Sequence, residues 1–131
     1  MIMKKILLLG AGGFVGSNLR YWLTIWATQL FGAHYPVGTF LVNISGSLLL
    51  GFLTGIGTES IYLTAEARLM IGAGMLGALT TFSTFSVETL HLLQSGRLGS
   101  AAANLLLNVV LGFSAAWLGL QAAEMLAVSV D

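Results

Sequence analysis

Four long apolar runs, separated by short polar punctuation, make up almost the whole chain. They cover about residues 6–31, 37–57, 69–93 and 98–128. Each is near or above the ~20 residues that a helix needs to cross the hydrocarbon of a bilayer. Gly32-Ala33-His34-Tyr35-Pro36 separates the first two and holds the single proline. Thr58-Glu59-Ser60 through Arg68 separates the next two, and Gln94-Ser95-Gly96-Arg97 is a tight polar turn. The pattern predicts an all-α membrane protein. It forms a single four-helix transmembrane domain over residues 1–131, with little chain outside the bilayer.

Composition narrows the picture. The chain is 56% hydrophobic and only 8% charged, against about 25% charged in soluble domains. Five basic and five acidic residues cancel, so no basic patch is available for a nucleic acid. No cysteine is present, which excludes disulfides and thiolate metal sites. His34 and His91 lie far apart, and nothing in the chain reads as an enzyme. The start, with Lys4 and Lys5 before an apolar run, imitates a signal peptide. The run continues past Arg20 to Phe31, too long for such a segment, so it is expected to stay. Lys4, Lys5 and Arg68 fall on one side of four spans and Arg97 on the other. This bias is too weak to choose one orientation.

The segment from Ile6 to Leu19, with Gly10, Gly12, Gly13 and Gly16, imitates the glycine-rich turn of a dinucleotide-binding fold. That turn needs an acidic residue about 20 positions later, and the first acid here is Glu59. Helix packing is the expected role: Gly12 and Gly16, four apart, allow close approach of a neighbouring helix. Arg20, one turn further on the same face, either snorkels to an interface, pairs within the protein, or makes an electropositive vestibule.

Polar groups inside the spans are costly without partners, which makes them candidates for function. Thr39, Asn43 and Ser47 repeat every four residues in the second span; Ser100, Asn104, Asn108 and Gly112 do so in the fourth. Two stripes of amides and hydroxyls suggest a shared polar track that offers N–H and O–H donors to a small anion without trapping it. The third span holds the densest cluster. Gly72, Gly74 and Gly77 weaken the helix before Thr80-Thr81, and a break there would bring carbonyl oxygens and helix ends to the membrane interior. Five hydroxyls, Thr80, Thr81, Ser83, Thr84 and Ser86, enclose Phe82 and Phe85, and Glu88 follows. The rings share a helical face, and an aromatic ring presents a positive edge to an anion.

These motifs resemble the Fluc (CrcB) family of fluoride channels. The likeness runs through Gly12-Gly13-x-x-Gly16-x-x-x-Arg20, Gly38-Thr39-x-x-Val42-Asn43-x-x-Gly46, and the run from Gly74 through Thr80-Thr81-Phe82-Ser83-Thr84-Phe85-Ser86 to Glu88. It covers essentially the whole chain. The resemblance implies passive export of fluoride from the cytoplasm across the bacterial plasma (inner) membrane by an antiparallel, dual-topology homodimer with a structural sodium ion at its centre. It implies that backbone carbonyls of Gly77 and Thr80 hold the sodium, that Phe82 and Phe85 line the pores, and that Asn43 and Glu88 are the pore asparagine and the closing glutamate. Thr39, Thr81, Ser83, Thr84, Asn104 and Asn108 complete the expected fluoride pathway, with Arg20 in its vestibule. The fourth span departs most, since some relatives carry aromatic or hydroxyl residues at Asn104 and Asn108. The rival reading, a small four-helix proton-coupled multidrug exporter, needs a carboxylate in the first span, where this chain has Arg20.

Overall fold

In a computed structural model, which describes residues 1–56 and 63–128, every element is helical. Helix α1 is Ile2–Phe31 and α2 is Val37–Gly55. The sequence placed the end of the second span at residue 57, and the Thr58-Glu59-Ser60 punctuation after it; both lie outside the described residues. A short helix α3, Ala65–Arg68, runs on into a π-helix, Leu69–Leu76, and a last α-helical turn, α4, Gly77–Leu79. Thr80 and Thr81 are extended, with ψ of 154° and 116°, and α5, Phe82–Gln94, begins after them. Helix α6 is Leu98–Val128.

Among the described residues, three helical stretches are long and apolar enough to cross a membrane: Val37–Gly55, Ala65–Gln94 (taken across the Thr80–Thr81 interruption) and Leu98–Leu126. Helix α1 is just as long but less apolar, because Asn18 and Arg20 interrupt it after the glycines.

The glycines of α1 lie inside unbroken helix, so no phosphate-cradling loop exists there. Gly12 and Gly16 are buried against the π-helix. A Cβ on Gly12 would lie 2.1 Å from the Met70 carbonyl oxygen, and one on Gly16 2.0 Å from that of Met75. Helices α2 and α6 make the other close pair: a Cβ on Gly51 would meet Ala116 O at 2.1 Å, and one on Gly119 would meet Leu48 O at 2.1 Å. Val42, Leu53, Leu76 and Leu79 form the small apolar core between these layers. Phe113, Trp117 and Leu118 on α6 face outward, as expected where lipid or a second chain is the solvent. Gly32 and Gly96 take positive φ (80° and 74°) and turn the chain after α1 and α5.

Candidate functional site

The interruption at Thr80–Thr81 frees backbone groups that a continuous helix would pair. In an α-helix the Thr81 N–H would bond to the Gly77 carbonyl. Here it donates to Asn43 Oδ1 at 2.8 Å. Asn43 Nδ2 returns a bond to the Thr81 carbonyl at 3.2 Å and gives a second to Asn108 Oδ1, also at 3.2 Å. One carboxamide on α2 thus closes both sides of the opened peptide.

The chain of bonds continues along α6. Asn108 Nδ2 donates to the Asn104 carbonyl at 2.9 Å and to Asn104 Oδ1 at 3.0 Å. Asn104 Nδ2 donates to Thr89 Oγ1 at 2.9 Å, and that hydroxyl donates to the Phe85 carbonyl at 2.8 Å. Asn104 is fully buried. Asn43 of one polar stripe, Asn104 and Asn108 of the other, and the third-span break therefore form one ladder: Thr81, Asn43, Asn108, Asn104, Thr89. Thr89 was not singled out in the sequence. The available signal was its place one turn after Phe85, where it extends the hydroxyl run.

The structure sorts the remaining candidates. Thr39 Oγ1 donates to Glu88 Oε1 at 2.8 Å, joining α2 to α5 one turn from the ladder. Thr81 is the N-cap of α5: its Oγ1 accepts the Thr84 N–H at 3.3 Å, donates to Thr84 Oγ1 at 3.0 Å, and lies 3.3 Å from Ser83 Oγ. Such a cap is worth about 1 kcal/mol, so these hydroxyls stabilise the restart of the helix whatever else they do. The Phe82 and Phe85 rings are in contact, with centroids 5.6 Å apart and planes at 57°. Their surroundings differ sharply: Phe85 is 5% exposed and Phe82 is 80% exposed. Arg20 Nη1 reaches the Thr80 carbonyl at 3.4 Å, so the α1 cation points at the break.

Ser47, Thr80, Phe82, Phe85, Asn108 and Phe113 line an open groove of about 420 Å³ beside the interruption. Gly77 is exposed, and a Cβ added there would find only Gly72 O, at 3.8 Å. Among the described residues, no group of three or more His, Asp or Glu side chains is placed to hold a metal. A cation at this site would be held by backbone oxygens, the hard donors suited to such ions.

Comparison with known proteins gives concordant matches. The profile of the CrcB-like protein, Camphor Resistance (CrcB) family matches residues 7–120. The fluoride-specific ion channel FluC of Shewanella amazonensis is 48% identical over 119 residues, covering 91% of this chain and 95% of the relative. The protein of the same name from Shewanella frigidimarina is 49% identical over the same shares. That of Shewanella oneidensis is 45% identical.

Proposed function

The chain belongs to the CrcB-like family, and on that footing we propose that it is a fluoride-specific ion channel, a multi-pass protein of the bacterial plasma membrane. The observation that carries the reading is the hydrogen-bonded ladder from Thr81 to Thr89, set in an otherwise apolar bundle. Buried amides are tolerated here because they are hydrogen-bonded to one another, and polar groups gathered inside membrane spans mark ion pathways. They offer donors and no fixed positive charge, which suits passage of a small anion rather than its capture. The rival exporter lacks its required acid, since α1 carries Arg20.

The finer reading follows from surfaces that one chain leaves open. All four long segments, α1 included, cross the bilayer, and the interruption at Thr80–Thr81 lies near the midplane. Two chains pair antiparallel across the groove, which would cover Phe82 and Phe113. The two-fold axis doubles the carbonyls of Gly77 and Thr80 around one sodium ion. The residues present fit that ion. The Thr81 N–H is diverted to Asn43, which relieves the Gly77 carbonyl of its helical partner, and Thr80 O keeps a lone pair beyond its long bond to Arg20. The bound ion would supply a fixed positive charge and a joint between protomers. The direction of net movement is outward wherever cytoplasmic fluoride is the higher.

Purified protein in liposomes is expected to release fluoride and to retain chloride; retention of both ions would sink the proposal. Phe82→Ile and Phe85→Ile keep bulk but remove the ring edge. Each is expected to lower fluoride efflux about tenfold or more, the factor equivalent to about 1.4 kcal/mol, with the dimer intact on gel filtration. Unchanged efflux in both variants would make the pair mere packing. Dual topology has its own test. Three lysines added at one terminus should fix one orientation and reduce activity when the variant is expressed alone. Co-expression with an oppositely biased variant should restore it, and full activity from a single fixed orientation would exclude the antiparallel pair.

A further inference from the structure

A second cavity, of about 700 Å³, lies between the end of α1, the Gly32–Pro36 connection, the first turn of α2, the second half of α5 and the α5–α6 turn. It shares no lining residue with the groove at the interruption. Its floor is the Thr39–Glu88 pair. Thr39 stands one turn before Asn43 and Glu88 one turn after Phe85, so the floor adjoins the ladder. The exposed side chains on its rim include His34, His91 and Arg97.

Two features mark this cavity as more than a surface dent. The Tyr35 hydroxyl and Glu88 Oε2 are both buried with no hydrogen-bond partner, and both residues line it. The buried Tyr35 hydroxyl calls for an acceptor beside it, and the Glu88 oxygen for a donor such as water. A phenol can supply a proton to such an acceptor, and burial pushes the Tyr35 hydroxyl up, so it keeps that proton. Arg97 is also held in place. Its guanidinium donates to the His34 carbonyl, and its Nη2 to Ser100 Oγ at 3.4 Å. Neither partner is charged, and among the described residues no carboxylate forms an ion pair with Arg97. The positive charge is therefore fixed at the rim without being neutralised.

We propose that this cavity is an anion-binding site at the mouth of the pathway, with the Tyr35 hydroxyl as its donor and Arg97 as its collecting charge. The ligand is a small anion, fluoride first, taken at the Tyr35 and Arg97 end of the cavity rather than beside the Glu88 carboxylate, which repels it. The inference rests on the channel reading and adds to it where the ion is gathered. A positive charge held at a mouth raises the local anion concentration, and it loses that effect as salt screens the field.

The test uses full-length protein in liposomes, with initial fluoride efflux read at low and high fluoride and at two ionic strengths. Tyr35→Phe removes one oxygen and keeps the ring. It is expected to slow efflux about tenfold at low fluoride, as loss of a hydrogen bond to an ion would, and to approach wild type at high fluoride. Arg97→Gln should slow efflux about tenfold at low salt and much less at high salt, while Arg97→Lys, which keeps the charge, should stay near wild type. Wild-type efflux from Tyr35→Phe at every concentration would overturn the site. So would an Arg97→Lys defect equal to that of Arg97→Gln, since Arg97 would then only anchor the loop. Absence of fluoride efflux from the wild type would overturn the channel reading, and this inference with it.

Discussion

Asn43→Asp will stop fluoride flux and loosen the fold in one step. The aspartate keeps an oxygen for the Thr81 N–H, the 2.8 Å bond. It loses both amide hydrogens, so the Thr81 carbonyl and Asn108 Oδ1, each now 3.2 Å from Asn43 Nδ2, would face an oxygen. Each acceptor left without a proton costs about 1–3 kcal/mol, and any negative charge on the new side chain repels the anion the path serves. Fluoride efflux should fall by about a hundredfold or more, equivalent to about 2.7 kcal/mol, and the melting temperature in detergent should drop with it. The paired measurement is informative. A lower melting temperature with normal efflux would make Asn43 a helix tie outside the path, and two unchanged readings would discard the ladder.

The second large effect separates two kinds of glycine. Gly16→Val drives a side chain into the Met75 carbonyl, where even a Cβ would stand at 2.0 Å, and into Ala78 Cβ at 3.1 Å. Backbone cannot swing aside, so helix α1 must lift off the π-helix. Overpacking costs about 1–3 kcal/mol when it is mild, and this is not mild against a typical stability of about 5–15 kcal/mol. Gly16→Val should yield no folded chain. Gly77→Leu should do the reverse. Its φ of −63° accepts any side chain, and the nearest obstacle within the chain is 3.8 Å from a Cβ. Helix content by circular dichroism should be normal while the dimer and its fluoride flux are lost. A dimeric, conducting Gly77→Leu protein would remove Gly77 from the proposed interface and from the sodium site.

Much of this was legible in the sequence because bilayer proteins write their constraints in long runs. Helix α6 begins and α1 ends where the apolar pattern does, and the polar stripes of α2 and α6 meet at Asn43 and Asn108. Gly12 and Gly16 sit at a helix contact for the reason their spacing gives. What was hidden depends on partners distant in the chain. Nothing local says that Asn43 spends both amide hydrogens within the chain, or that Arg20 turns to the Thr80 carbonyl. Periodicity put Phe82 and Phe85 on one face. It could not tell that one ring is buried and the other exposed, because the difference is made by the groove between elements. The π-helix was equally invisible: it leaves the apolar pattern intact and changes only which carbonyls find a partner.

The ladder has a consequence for speed. Five of the six amide hydrogens of Asn43, Asn104 and Asn108 are aimed at oxygens of the protein itself. On the proposed pathway an anion would take most of its donors from a neighbour, which would reclaim them when the ion moves on. Such an exchange changes the number of hydrogen bonds very little at any step. The wells along such a route would accordingly be shallow and the rises between them low, so the same arrangement would keep an ion from lingering among these donors.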